Sequence, residues 1–71
     1  MKGVCAVESI GQKVERVAGL VPDSWFDEAR REGGNALALR VRREFEVGEL
    51  VAFEVASVVA RRVGVARGWL S

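Results

Sequence analysis

Hydrophobic and polar positions alternate over one long stretch of the chain, ALALRVRREFEV, from Ala36 to Val47. With the exception of Arg43, the odd positions from 37 onward are large and apolar: Leu37, Leu39, Val41, Phe45 and Val47. A one-sided helix does not account for this pattern, because Leu37 and Leu39 would lie about 160° apart around its axis. The alternation therefore predicts a β-strand with one solvated face, which carries the charged even positions.

A second apolar pattern, VGELVAFEVASVVARRV, has helical spacing and is predicted to end at Gly64. Projected at about 100° per residue, its apolar residues fill an arc roughly twice the stripe that a surface helix buries. One small sheet does not cover so wide an arc, so the pattern predicts a partner, either a second copy or another subunit. The predicted interface residues are Val51, Val55, Val58, Val59 and Val63, with Trp69 as an anchor from the tail.

The segment SIGQKVERVAGLV, from Ser9 to Val21, predicts a helix, because its apolar residues recur at helical spacing. Ser9 and Gln12 have the spacing of a capping box, and Pro22 ends the pattern. Ahead of this helix, KGVCAVE is rich in small and β-branched residues and predicts a short strand.

The segment PDSWFDEARREGG has two interpretations. As a helix it is capped by Asp23 or Ser24 and stops at Gly33. As a strand, residues 25–32 form a hairpin through Gly33 and Gly34 with the strand that follows. Local signals favour the helix and the need for a sheet partner favours the strand, so residues 24–32 stay open. The predicted fold is α+β: a small antiparallel sheet in the order strand, helix, hairpin, long helix, with two helices on one face.

Length and composition place the chain among small single domains, spanning residues 1–71. A hydrophobic content of 49% is high for so small an interior and supports the predicted interface. Cys5 is the only cysteine, Glu8 interrupts any signal-like apolar core, and Glu54 interrupts the longest apolar run. We therefore expect a cytoplasmic protein without a membrane partner. The scarcity of Asn and Gln and the preference for Arg over Lys suggest a GC-rich or thermophile source.

Catalysis is not expected, because the chain has no His, Tyr or Thr. A Ser or Cys nucleophile would lack its usual base, and Cys5 is the one plausible zinc ligand. The segment REGGN has two glycines but lacks the Lys and Ser/Thr that grip phosphate. We predict no catalytic residues, no metal site, no cofactor and no small-molecule substrate.

Nucleic-acid binding is the alternative function. Five arginines are candidates for contact with a phosphate backbone: Arg40, Arg42, Arg43, Arg61 and Arg62. A solvated charged face explains them equally simply, since glutamates neutralise the strand and cations favour a helix C-terminus. The net charge of +1 gives no global attraction for nucleic acid. A helix-turn-helix over GELVAFEVASVVARRVGVARGWLS is not expected, because the seven residues after Gly64 are too few for a recognition helix.

If residues 25–32 form a strand, REGGNALALRVRRE is the hairpin and ELVAFEVASVVARRV the closing helix. In that order the chain resembles the small dimerisation subunits of the KEOPS tRNA-modification complex, the CTAG-antigen-like family. Members tend to carry an Arg and an Asn in the closing helix, where this chain has Ala52 and Ala56. The resemblance implies a small non-catalytic dimerisation subunit that pairs through its long helix and reaches tRNA through a larger complex.

Overall fold

The computed structural model describes residues 8–69, which form four helices joined by short turns. They are α1 (Ile10–Leu20), α2 (Asp23–Glu32), α3 (Ala36–Phe45) and α4 (Glu49–Ala66). No strand occurs within residues 8–69, so the predicted α+β fold with an antiparallel sheet is wrong. Apart from Glu8, the strand predicted in KGVCAVE lies outside the described residues, as does Cys5.

The alternating stretch is helix α3, and the reason lies in the spacing of its apolar residues. Leu37, Val41 and Phe45 are four residues apart, a spacing that suits one face of a strand and one face of a helix equally well. Leu37 and Val41 are buried, whereas Leu39 is 55% exposed on the opposite side. Arg43, the exception to the alternation, shares that exposed side because it lies one helical turn from Leu39. The strong helix propensity of Ala, Leu, Arg and Glu agrees with the observed state.

Residues 24–32, which the sequence left open, belong to helix α2. Asp23 occupies its first turn, and Arg30 and Arg31 its last, as the helix dipole favours. Gly33 ends the helix with φ 79° and ψ 179°, and Gly34 also has a positive φ of 61°. With these two positive φ angles, the chain changes direction between the end of α2 and the start of α3, which are separated by three residues. The turn therefore joins two helices rather than two strands.

Helix α1 agrees with the prediction from Ser9 to Val21. The Ser9 side chain accepts a hydrogen bond from the Gln12 backbone N–H at 3.1 Å. In return the Gln12 side chain accepts one from the Ser9 backbone N–H at 3.0 Å, which completes the capping box. The helix ends at Leu20, ahead of Pro22, and Val21 turns into the core with 3% exposure.

Helix α4 is central to the fold, because α1, α2 and α3 all pack on it. The α3–α4 turn is short, and α3 runs back along α4 as an antiparallel hairpin. Eleven hydrophobic residues form the core, and none of the described residues buries a polar side chain. The core residues are Val14, Val17, Ala18, Val21, Leu37, Val41, Val47, Ala52, Val55, Val59 and Val63.

The end of α4 differs from the prediction, since the helix continues through a buried Gly64 to Ala66. Gly68 adopts φ 77° and donates its backbone N–H to the Val65 carbonyl at 3.1 Å. The Trp69 backbone N–H donates to the Gly64 carbonyl at 2.8 Å. These two bonds form a Schellman motif, so the stop signal is Gly68 rather than Gly64.

Candidate interaction surface

The valines predicted to form an interface divide into buried and accessible residues. Val55 and Val59 are 0% exposed, and Val63 is 1% exposed. These three belong to the core of this chain and offer no surface to a partner, which corrects their assignment as interface residues. The physical reason is that helices flank α4 on two sides, and together they cover far more of its apolar arc than the single sheet that was predicted.

Of the other predicted interface residues, Val51 is half-buried at the edge of the core. Val58 is 36% exposed and Trp69 is 52% exposed. Trp69 lies against its own chain, with its ring centroid 6.2 Å from that of Phe26 on α2. The tail therefore covers the C-terminal end of α4 and α2, while half of the indole stays in contact with water.

Trp69 is held by charged residues as well as by Phe26. The Arg30 and Arg67 guanidinium carbons lie 4.8 and 5.3 Å from the centroid of its ring, within cation–π range. Arg67 also donates two hydrogen bonds to the Asp27 carboxylate, at 2.7 and 2.8 Å. The Arg67 hydrogen bond holds the pKa of the Asp27 carboxyl below its ordinary value.

The five candidate nucleic-acid arginines do not share one free face. Arg62 donates to the Ala18 and Val21 carbonyls and to the Asp23 carboxylate, each at 2.8 Å, so it joins α4 to the α1–α2 corner. The Ala18 carbonyl also accepts the Val21 backbone N–H at 3.2 Å, so Arg62 adds a second donor there and supplies a donor to the Val21 carbonyl just beyond the end of α1. The sequence assigned Arg62 to phosphate binding, but the structure gives it a role inside the chain.

Arg40 is likewise engaged within the chain. Its guanidinium carbon lies 4.3 Å from the centroid of the Trp25 ring, and it forms an ion pair with Glu28. These contacts join α3 to α2. The exposed arginines that remain are Arg42 and Arg43 in the last turn of α3, and Arg61 in the second half of α4. Because α3 and α4 are antiparallel, Arg61 lies toward the opposite end of the hairpin from the other two.

The described residues form a groove that sequence reasoning did not identify. It lies where the α2–α3 turn meets α4, has a volume of about 260 Å³, and is bordered by Phe53. Phe53 is 53% exposed although it is a large apolar residue in the second turn of α4, the longest described helix. We call this feature the Phe53 groove. Its other apolar lining residues are Phe26, Ala29, Leu37, Ala38, Ala56 and Ala60.

Small residues create this groove. Alanines line it from α2, α3 and α4, and Gly33 and Gly34 form part of its rim. Phe53 also borders a smaller depression beside Leu39 on α3. The sequence placed Phe53 within the apolar arc of α4, but no local signal shows that the arc continues into an open groove. That depends on where the α2–α3 turn lies relative to α4.

The chemistry of the groove is apolar. Its polar lining consists of Arg30, Asn35 and Ser57, and the Ser57 hydroxyl donates to the Phe53 carbonyl one turn earlier at 3.1 Å. Within residues 8–69 no cluster of three His, Cys, Asp or Glu side chains is placed to hold a metal ion. The groove therefore has the composition of a surface that receives an apolar side chain.

No protein-family model, curated protein or solved structure matches the chain. Among the described helices, none is long and apolar enough to cross a membrane.

Proposed function

We propose that the chain is a small helical protein-interaction module that receives an apolar side chain of its partner in the Phe53 groove. The observation that carries this proposal is the half-exposed Phe53 at the border of a concave, alanine-lined surface. Exposing a phenylalanine to water is unfavourable, by roughly 25 cal/mol for each Å² of apolar area. A partner that covers it recovers this free energy and excludes water from the groove.

The groove has the shape for a side chain rather than for a metabolite. Ligand sites for small molecules are typically about 300–1,000 Å³ and bury most of the surface of the ligand. The Phe53 groove, at about 260 Å³, is smaller and is lined mainly by carbon. One or two anchoring side chains on an amphipathic helix suit these dimensions, as in other helix-in-groove complexes.

The role proposed here keeps the interaction function expected from the sequence but moves it to other residues. Phe53 and the alanines beside it replace Val55, Val59 and Val63 as the docking residues. The link to a tRNA-modifying complex depended on the order strand, helix, hairpin, helix, and residues 8–69 lack the strands. No tRNA partner therefore forms part of the proposal.

Selection of helical peptides tests the function. A phage-displayed library of amphipathic helices is panned against the full chain, immobilised at low density so that two copies do not meet. We expect enriched peptides to carry Phe, Leu or Trp at positions three or four residues apart. Their affinity is then measured by fluorescence polarisation for the wild type, for Ala60→Trp, which fills the groove, and for Val65→Trp.

Val65→Trp is the matched control because Val65 is 57% exposed on α4 and does not line the groove. We expect Ala60→Trp to weaken peptide binding at least about tenfold and Val65→Trp to leave it within about twofold. Circular dichroism verifies that both variants keep their helices. If no peptide prefers the wild type to Ala60→Trp, the groove is not a docking site and the proposed function is wrong.

A further inference from the structure

We propose that the partner in the Phe53 groove is a second copy of this chain. In this dimer two α4 helices cross antiparallel near Ser57, about a two-fold axis, and each Phe53 enters the groove of the other copy. The identity of the occupant rests on the proposed function. It is argued from the distribution of large, small and charged residues along the exposed side of α4.

The exposed side of α4 is divided into a large half and a small half. Leu50 and Phe53, at 63% and 53% exposure, protrude from its first half. In the second half the small Ala60 lines the groove, whereas the exposed Val58 and Val65 do not line it. A protrusion and a cavity on one surface are what an isologous interface requires, because each copy must supply both.

Spacing along α4 brings the two halves together. Phe53 and Ala60 lie seven residues apart, or two helical turns, so they point to the same side. In an antiparallel pair centred near Ser57, the Phe53 of one copy lies opposite the Ala60 of the other. The large Phe53 of each copy thus meets the small Ala60 of the other.

Charge supports the same arrangement. Glu54 and Arg61 are exposed on α4, and neither forms an ion pair with any residue between 8 and 69. They lie three and four residues on either side of Ser57, so an antiparallel crossing there places each Glu54 beside the Arg61 of the other copy. Two symmetric ion pairs at the rim fix the register and orientation of the helices more than they add affinity.

A parallel two-fold pairing is disfavoured by the same residues. It places Phe53 against Phe53 and leaves both grooves empty. It also leaves each Glu54 seven residues, or about 10 Å, along the axis from the Arg61 of the other copy, so neither charge gains a partner. The self-complementary pattern thus selects the antiparallel arrangement and identifies a copy of this chain as the occupant.

Sedimentation equilibrium of the full chain between about 1 and 200 µM measures the association directly. We expect a monomer–dimer equilibrium, and we expect Phe53→Ala to weaken it by about thirtyfold or more, the loss typical of a central aromatic anchor. Leu20→Ala is the control, since Leu20 is 59% exposed on α1 and does not line the groove. It should leave the dimerisation constant within about twofold.

Charge exchange tests the antiparallel register. Glu54→Arg alone and Arg61→Glu alone each bring like charges together across the two-fold axis, so each should weaken the dimer severalfold at low salt. The double variant Glu54→Arg with Arg61→Glu restores opposite charges and should restore the dimer. Failure of the double variant to recover would overturn the antiparallel register.

The outcomes separate this inference from the proposed function. A wild-type chain that stays monomeric at 200 µM, or a dimer indifferent to Phe53→Ala, overturns the second copy as the occupant. If the dimer fails in this way but peptides still bind the wild type and not Ala60→Trp, the proposed docking function is retained. Dimerisation that requires Phe53 and recovers on charge exchange supports both.

Discussion

Replacement of Arg62 by methionine should destabilise the chain far more than the same change at its neighbour Arg61. The Arg62 guanidinium donates to three acceptors on the α1–α2 corner: the Ala18 carbonyl, the Val21 carbonyl and the Asp23 carboxylate. Methionine keeps most of the apolar stem but removes every donor. The substitution therefore isolates the hydrogen bonds from the packing of the side chain.

The magnitude follows from the exposure of each contact. The Arg62–Asp23 pair is open to solvent, with side chains 39% and 58% exposed, so it contributes at most about 1 kcal/mol. The two bonds to carbonyls are partly buried, and each contributes about 1 kcal/mol after exchange with water. The loss for Arg62→Met is then about 2–3 kcal/mol. For a domain this small, that is a large part of a total stability of about 5 kcal/mol.

Urea denaturation followed by circular dichroism gives the free energy of unfolding for the wild type and both variants. Arg61 is exposed and forms no ion pair with the described residues, so at about 1 µM protein, where association contributes little, Arg61→Met should cost less than about 0.5 kcal/mol. Equal losses for the two variants, within about 0.5 kcal/mol, would refute the role of Arg62 in joining α4 to the α1–α2 corner.

Two further predictions concern the core and the C-terminal turn. Val55→Ala should lower the free energy of unfolding by about 2–3 kcal/mol because Val55 is fully buried, whereas Val65→Ala should cost under about 0.5 kcal/mol; equal losses in urea denaturation would contradict this. The Arg67 hydrogen bond lowers the pKa of Asp27 in the folded chain, so the pair stabilises the fold above the ordinary carboxyl value of about 3.9 and loses that effect as the pH falls through the lowered value. The Trp69 indole N–H resonance should move over that acidic range in the wild type but not in Asp27→Asn, and a titration shared by both would exclude Asp27 as its source.

Helix α1 was predictable because its signals are local. Ser9 and Gln12 lie three residues apart, and Pro22 limits the pattern on the other side, so no distant contact is needed to define the helix. Helix α4 was predictable for a similar reason, since its apolar residues keep helical spacing over many turns. Its end was not, because packing keeps Gly64 helical and the left-handed Gly68 supplies the stop instead.

Helix α3 shows why alternation over ten residues does not by itself distinguish a strand from a helix. A spacing of four residues satisfies both periods, so Leu37 and Val41 fit either element, and the decision rests on the residues between them. The exposed Leu39 and the polar Arg43 lie one turn apart and mark the solvent side of a helix. Arg43 is therefore the residue that distinguishes the two elements, because it breaks the alternation of a strand and fits the polar side of a helix.

The Phe53 groove could not be predicted from the sequence, because it is formed by the packing of three helices. Its walls come from α2, α3 and α4, and its depth depends on alanines and on the turn at Gly33 and Gly34. In the sequence those alanines look like ordinary helix formers, and Phe53 looks like one more core residue. Which of the apolar residues of α4 remain exposed is decided by the neighbouring helices, and their positions are not encoded in any single segment.

The apolar circumference of α4 is consequently a poor measure of the surface available to a partner. Helices α1 and α3 flank it, and within a single chain they already bury Val55, Val59 and Val63. The useful quantity is the apolar surface that lies beyond those flanking helices. Of the exposed residues there, Val58 and Val65 line none of the described concavities, whereas Phe53 borders two. A partner gains most where a protruding ring and an unfilled groove lie side by side, and for that reason we propose Phe53 as the centre of the interaction surface.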